Sequence, residues 1–278
     1  MAPSYHTRSN SFPSRPHPIT SEVDQHLSRL RASQATSTSS SSSISHGING
    51  LQDLHDCVDK LLQLASIQQA LAQDEMLNGS LRLLDICGIA KDSLVQTKEA
   101  VQGLQSIFRR RRCYDIELTS EVKKYLTSRK TVKMTIQKAL KNLKAMKNQR
   151  ISPICEKDES NATICILREV EAVTFNVIES FLSLISGPKV PSKLNSWSVV
   201  SKLIHSKKVA GEETDINEFE KLDAELSTII AHKTSKSDNI QNQLKEFESS
   251  IQDFEAGLES LSRRLIKTRV SLLNILYN

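Results

Sequence analysis

The chain has 278 residues, of which 38% are apolar and 25% charged, and 37 basic against 32 acidic residues give a formal net charge of +5. That is the composition of an ordinary globular protein, long enough for one large or two small cores, and the positive excess is too mild to imply nucleic acid by itself. Only eight glycines occur, with no proline between Pro18 and Pro153 or after Pro191; so few turn formers exclude a sandwich of many short strands and make the fold class all-α.

Residues 1–48 read as a disordered Ser/Pro-rich tail. Residues 1–19 carry four of the seven prolines, and 37–43 is serine apart from Thr38; neither stretch can bury enough apolar surface to offset the entropy of ordering it. Between them, Ser21 caps a short helix near 21–31 with Val23, Leu27 and Leu30 on one face, which docks on the rest of the chain or folds with a partner.

Residues 49–278 read as an elongated antiparallel helical bundle. Its first helix carries Leu51, Leu54, Val58, Leu61 and Ala65, opens at Asn49 or Gly50 and ends near Gln73. A second begins around Asn78-Gly79-Ser80 and carries Leu83, Cys87, Ala90, Leu94, Val101, Leu104 and Phe108. Leu81, Leu84, Ile86 and Ile89 add apolar groups on its other faces, so it is expected to be surrounded near 81–90. The third carries Leu118, Val122, Tyr125, Val132, Ile136, Leu140 and Leu143, opened by Thr119 or Ser120. The fourth carries Leu167, Val170, Thr174, Val177, Phe181 and Leu184 and stops at Gly187-Pro188. A loop at about 187–196, a short helix capped by Ser196 and containing Trp197, and a polar linker at about 205–216 lead to Phe219, Leu222, Leu226 and Ile229.

The last helix has the strongest pattern. Ile240, Leu244, Phe247, Ile251, Phe254, Leu258, Leu261, Leu265, Leu272 and Ile275 recur at alternating steps of four and three, broken only at Thr268, which places them on one stripe of a long helix. Ile266, Val270, Leu273 and Leu276 widen that stripe beyond Leu261 and call for more than one neighbour. We read this helix as the spine of the bundle.

Charge is unevenly distributed. From Lys123 to Arg150 there are ten Lys or Arg and no Asp or Glu, whereas from Glu212 to Glu259 thirteen acidic residues face four basic ones. Arg109, Arg110, Arg111 and Arg112, with Lys123, Lys124, Lys130 and Lys133, form a candidate basic binding patch, the arginine run for phosphate, anionic lipid or an import receptor. The competing reading is structural: cations suit a helix C-terminus, and the lysines form a solvated face that partly pairs with the acidic C-terminal half. No aromatic set interleaves the lysines, which argues against nucleic acid.

For catalysis, the sequence offers no phosphate-cradling glycine loop, no His-x-x-x-His or Cys-x-x-Cys spacing and no nucleophile elbow, so no catalytic residue, metal or cofactor is expected. His55 fits a surface or core position better than a catalytic one. Cys57, Cys87, Cys113, Cys155 and Cys165 read as reduced thiols. A polar, proline-rich N-terminus without an apolar segment points to synthesis in the cytosol and an intracellular location, cytoplasmic first, with membrane-peripheral and nuclear sites as alternatives. The most apolar window, Ile164–Ile185, contains Arg168, Glu169, Glu171 and Glu179 and reads as a bundle helix. In the tail, Arg8, Ser9, Ser11 and Pro13 form a candidate phosphorylation and docking motif. A phosphate on Ser11 would add about −1.5 to −2 charge, and the spacing resembles that favoured by 14-3-3 proteins.

Arg8-Ser9-Asn10-Ser11-Phe12-Pro13-Ser14-Arg15, Leu51-Gln52-Asp53-Leu54-His55-Asp56, Gly79-Ser80-Leu81-Arg82-Leu83-Leu84-Asp85, the arginine run 109–112 and Leu265-Ile266-Lys267-Thr268-Arg269-Val270-Ser271-Leu272-Leu273-Asn274 occur in this order. Together they resemble the plant BYPASS-like family, catalogued as domain of unknown function 241. The resemblance covers nearly the whole chain and implies a helical plant protein without established enzymatic activity, some of whose relatives act in root and shoot development. The chain departs from the family at Ala72–Met76, where a longer connection is expected, so the first two bundle helices are expected to be nearly continuous. The function expected is that of a non-enzymatic regulatory or adaptor protein with protein partners. The alternative is a peripheral membrane protein that binds anionic lipid through its basic helix, and an enzyme with an unfamiliar site is the third class.

Overall fold

A computed structural model describes residues 17–36, 40–64, 74–110, 115–149, 159–187, 217–232 and 237–277. The described residues form seven helices and no strand, as the all-α expectation requires. They are α1 (Pro18–Thr36), α2 (Ser41–Leu62), α3 (Asp74–Arg109), α4 (Asp115–Gln149), α5 (Glu159–Ser186), α6 (Glu218–His232) and α7 (Ser237–Tyr277). The tail motif at 8–13, the short helix around Trp197 and most of the expected loop and linker between 187 and 216 lie outside the described residues.

Helix α1 starts earlier than Ser21. Pro18 occupies its first turn, where a missing N–H costs nothing, and the His17 carbonyl accepts the Thr20 N–H at 2.9 Å. Val23, Leu27 and Leu30 are buried, and α1 lies against α2 and α5. The next helix also starts early, inside the serine run: Ser40 Oγ accepts the Ser43 N–H at 3.3 Å as the N-cap of α2. Gly47 and Gly50, the latter read as a start signal, are close-approach points within this helix. A Cβ at Gly50 would stand 2.8 Å from Leu30 Cδ2, and one at Gly47 would stand 3.2 Å from Val177 Cγ1. At its other end α2 stops at Leu62 with Gln63 as C-cap, short of the expected Gln73, so the near-continuity with α3 does not hold.

One other boundary moves and one holds. The third predicted helix opens at Asp115 rather than Thr119, and α5 ends as expected at Gly187, whose φ of +70° suits glycine. Asn217 caps α6 by accepting the Glu220 N–H at 2.9 Å, and its amide donates to the Leu184 carbonyl at 3.0 Å, fastening the start of α6 to the end of α5.

Helix α7 is the spine. Its nine seam residues from Ile240 to Leu265 and Leu272 are buried, Ile275 is half-buried, and α2, α3 and α6 all lie against it. Phe254 meets Phe181 at 4.9 Å between centroids, and Phe247 meets Phe219 edge-on at 4.8 Å. Cross-helix bonds give the registers. Gln105 reaches the Leu244 carbonyl and Cys87 the Leu258 carbonyl, so α3 runs antiparallel to α7. Asp56 meets Arg264 and Asp59 meets Lys267, so α2 runs parallel to it.

The widened end of α7 is not covered as expected. Ile266 and Val270 are about half exposed, and Leu273 and Leu276 are half-buried. Likewise α3 is not surrounded near 81–90: Ile86 is buried, but Leu81 stands in solvent and Leu84 and Ile89 are only half-buried. Cys57 and Cys87 are buried free thiols, whereas Cys165 is disulfide-bonded, against the fully reduced set expected. Pairing depends on how close two sulfurs lie in space, which spacing along the chain does not give.

If α7 is the spine, Leu258→Ala, at a fully buried position, should destabilise the chain by about 2–5 kcal/mol, whereas exposed Gln252→Ala should stay within about 0.5 kcal/mol. Urea unfolding midpoints of the two variants check this, and equal small effects would remove α7 from the core.

Candidate functional site

The apolar positions of α4 place Val122, Tyr125, Val132, Ile136 and Leu140 on one buried face. Helical spacing puts Arg129 on that same face, and it is only 1% exposed. Its Nε and Nη2 donate to the two carboxylate oxygens of Asp223 at 3.1 and 3.3 Å, and Nη2 also donates to the Ile185 carbonyl at 2.8 Å. The guanidinium carbon lies 5.2 Å from the Phe219 ring centroid. Tyr125 Oη donates to Asp223 at 3.0 Å, and Lys133 Nζ approaches its other oxygen at 2.8 Å. One carboxylate from α6 thus gathers three donors from α4, and the arginine continues to the end of α5.

The electrostatics follow from this crowding. Burial pushes the Asp223 carboxyl up, but Arg129 and Lys133 outweigh it and leave the group below its ordinary value. Burial and the adjacent Asp223 hold the Tyr125 phenol well above its usual range. Glu220, one turn earlier on α6, is raised mainly by burial. Asp223 takes up Tyr125, Lys133 and two nitrogens of Arg129, whose Nη1 alone is buried without a partner, so the cluster is suited to clamping three helices rather than to moving protons.

A second internal tie joins α2 to α5. Thr174 Oγ1 donates to the Val170 carbonyl at 2.7 Å, so it accepts from His55 Nε2, 3.1 Å away, and His55 carries its proton on Nε2. The buried Nδ1 has no partner. Burial lowers the His55 pKa to about 4, with Asp56 opposing and Arg264 assisting, so the ring is neutral at neutral pH. Between α1, α2 and α5 lies a groove of about 390 Å³ lined by Leu30, Gln34, Ser43, Ile44, Gly47 and Val177 among others. Among the described residues no cluster of His, Cys, Asp and Glu could hold a metal ion, and no helix is long and apolar enough to cross a membrane.

The candidate residues of the sequence are dispersed. Arg8, Ser9, Ser11, Pro13, Arg111 and Arg112 lie outside the described residues. Arg109 donates to Gln105 at 3.2 Å, and Gln105 in turn reaches Glu248 of α7 at 2.8 Å. Arg110 pairs with Glu117 at 3.1 Å and Lys124 with Glu121 at 2.9 Å. Lys133 turns inward to Asp223, while Lys123 and Lys130 are exposed. Of the basic helix, Arg129 and Lys133 meet the acidic C-terminal half, at Asp223; Lys98 with Glu255 at 2.6 Å and Lys91 with Glu259 join α3, outside that helix, to the same half. Arg129 was not among the candidates, although an arginine at the apolar spacing of α4 was the available signal.

Removing one partner of the buried pair leaves the other charge stranded. Asp223→Ala should cost about 3–5 kcal/mol, whereas Lys133→Ala, whose partially exposed ammonium is screened, should cost about 1 kcal/mol or less; thermal or urea unfolding of both variants measures the difference.

His55 gives a pH signature. Its folded pKa lies below the unfolded one, so its contribution is fully present above about pH 6.5 and is lost as pH falls toward about 4. Stability should drop by about 3 kcal/mol across that window, and His55→Gln should flatten the profile there. The contribution of Asp223 has the same sign but is lost at still lower pH, since its carboxyl is held below its ordinary value.

Comparison with known proteins adds one finding. No curated protein and no solved structure matches the chain. A protein-family profile described as Protein BPS1 matches residues 47–275, from the second turn of α2 to the last turn of α7. The resemblance read from the sequence motifs therefore stands, and the chain belongs to the BPS1 family, the BYPASS-like proteins of domain of unknown function 241.

Proposed function

We propose that this chain is a non-enzymatic regulatory adaptor of the BYPASS-like kind, acting in root and shoot development through protein partners. The observation that carries this reading is an apolar strip left in solvent along the α3–α7 shoulder. Arg269 Nη1 donates to the Leu77 carbonyl at 2.6 Å and to Ser80 Oγ at 3.0 Å, and Cys87 meets Ser262 at 3.2 Å. In that antiparallel register Leu81 and Leu84 fall opposite Ile266 and Val270. Leu81, Ile266 and Val270 are 44%, 51% and 48% exposed. Large apolar side chains aligned across two helices are what a partner's apolar face would cover.

The adaptor reading assigns the buried polar groups a scaffolding role: Arg129, Asp223, Tyr125 and His55 hold helices together and leave the surface to do the recognising. It also gives the tail a place as regulatory input, with phosphorylated Ser11 between Arg8 and Pro13 as the segment a 14-3-3 protein would take.

Proximity labelling in plant roots with the full chain and with the Ile266→Glu, Val270→Glu double variant tests the proposal. The variant should keep its helical circular dichroism and melt within about 5 °C of the parent, yet lose most of the neighbours the parent labels. An unchanged set of neighbours would sink the assignment of the strip.

A further inference from the structure

The cations of α4 divide into two sets. Those that turn toward the bundle are engaged, Arg129 and Lys133 by Asp223 and Lys144 by Glu179 at 3.7 Å. Of the described cations that turn outward, only Lys124 is engaged, by Glu121 one turn earlier on the same helix at 2.9 Å. Lys123, Lys130, Lys138 and Lys141 are exposed, and none meets a carboxylate among the described residues. At about 100° per residue, Lys123, Lys130 and Lys141 fall within about 20° of one line along the helix, with Lys138 beside it. Ile116 and Met134, which are 85% and 57% exposed, lie on the same line. No acidic residue follows Glu121 in α4. The lysines from 123 to 141 span about 27 Å of helix.

We propose that this outward face of α4 docks on an anionic bilayer surface, with the four lysines at the level of the lipid phosphates and Ile116 and Met134 entering the interface. The inference goes beyond the adaptor reading and does not depend on it.

The chemistry favours a lipid surface over other polyanions. The face is one side of a single helix with its charges spread along a line, which headgroups can diffuse to meet. Its cations are all lysines, point charges on long apolar stems that reach outward from a half-sunk helix, not the planar forks that select single phosphates or carboxylates. No aromatic residue stands among them, so single-stranded nucleic acid would find nothing to stack on. Exposed Ile116 and Met134 in line with the lysines have no role against a purely aqueous polyanion, but they suit the headgroup boundary. Arg109 and Arg110 are engaged with Gln105 and Glu117, so the face does not rely on the arginine run.

The test is flotation of the full chain with vesicles of phosphatidylcholine alone and of phosphatidylcholine mixed with phosphatidylserine. Binding should require the anionic lipid and weaken as salt rises. Lys123→Gln, Lys130→Gln and Lys141→Gln together should lower the vesicle affinity at least about tenfold. The charge-matched triple Lys60→Gln, Lys221→Gln and Lys245→Gln, at exposed positions on α2, α6 and α7, should change it less than about twofold. Met134→Ser should weaken binding without altering its salt dependence, which a purely electrostatic attraction would not produce. Failure of the parent chain to float with anionic vesicles would overturn the proposal in favour of a soluble acidic partner. Equal losses in the two triples would overturn it too, since they would mean attraction by net charge alone. The adaptor reading survives either failure, because its own test changes only Ile266 and Val270.

Discussion

A guanidinium that is 1% exposed has to meet its opposite charge inside the protein, and that requirement fixes how α4, α5 and α6 can be arranged. Arg129 cannot be placed without Asp223, and Asp223 stands on α6 beside Phe219 and Leu222, whose burial presses α6 into the same corner. The Ile185 carbonyl, near the end of α5, takes the remaining reach of the guanidinium. A set of apolar faces alone would let these three helices slide along one another by a turn with little change in buried area. A bidentate ion pair with a directional bond to a specific carbonyl does not, so the cluster sets register where hydrophobic contact sets only proximity.

How much of this could be read from the sequence depends on which physical signal each element carries. The stripe from Ile240 to Leu265 was legible because a two-sided helix writes its burial as a period, and the buried residues of α7 follow that period through Thr268, which is itself buried. The starts of α1 and α2 were not legible. A serine run and a proline look like disorder by composition, yet Pro18 and Ser40 are good helix openers once the following turns have Val23 or Ile44 to bury. Gly50 misled for a related reason: a glycine that opens a helix and a glycine that lets Leu30 approach are the same letter. Leu81, Ile266 and Val270 show the reverse limit, since a wide apolar stripe states a preference for burial but cannot say whether this chain supplies the cover.

The candidate sites were less legible than the fold because charge in a sequence has no direction. Ten basic residues between Lys123 and Arg150 form one block on paper, but the helix sends Arg129 and Lys133 to Asp223 and leaves Lys123, Lys130, Lys138 and Lys141 outward. The complementary acidic block is likewise divided, with Glu255 and Glu259 holding α3 against α7 while Asp223 is drawn into the interior. The net charge of the whole chain therefore says little about its surface, and the ionic parts of its fold and of its recognition are carried by different residues of one helix.

The amide of Asn217 on the Leu184 carbonyl has an architectural consequence. The chain leaves α5 and enters α6 at nearly the same point, so any link between the two is a detour between points the fold already joins. Closing such a detour costs only about 0.6 kcal/mol more for each doubling of its length. Length there is decoupled from the geometry of the helices it connects. A domain whose own ends lie close together could therefore be accommodated between Gly187 and Asn217 without disturbing the Arg129 junction.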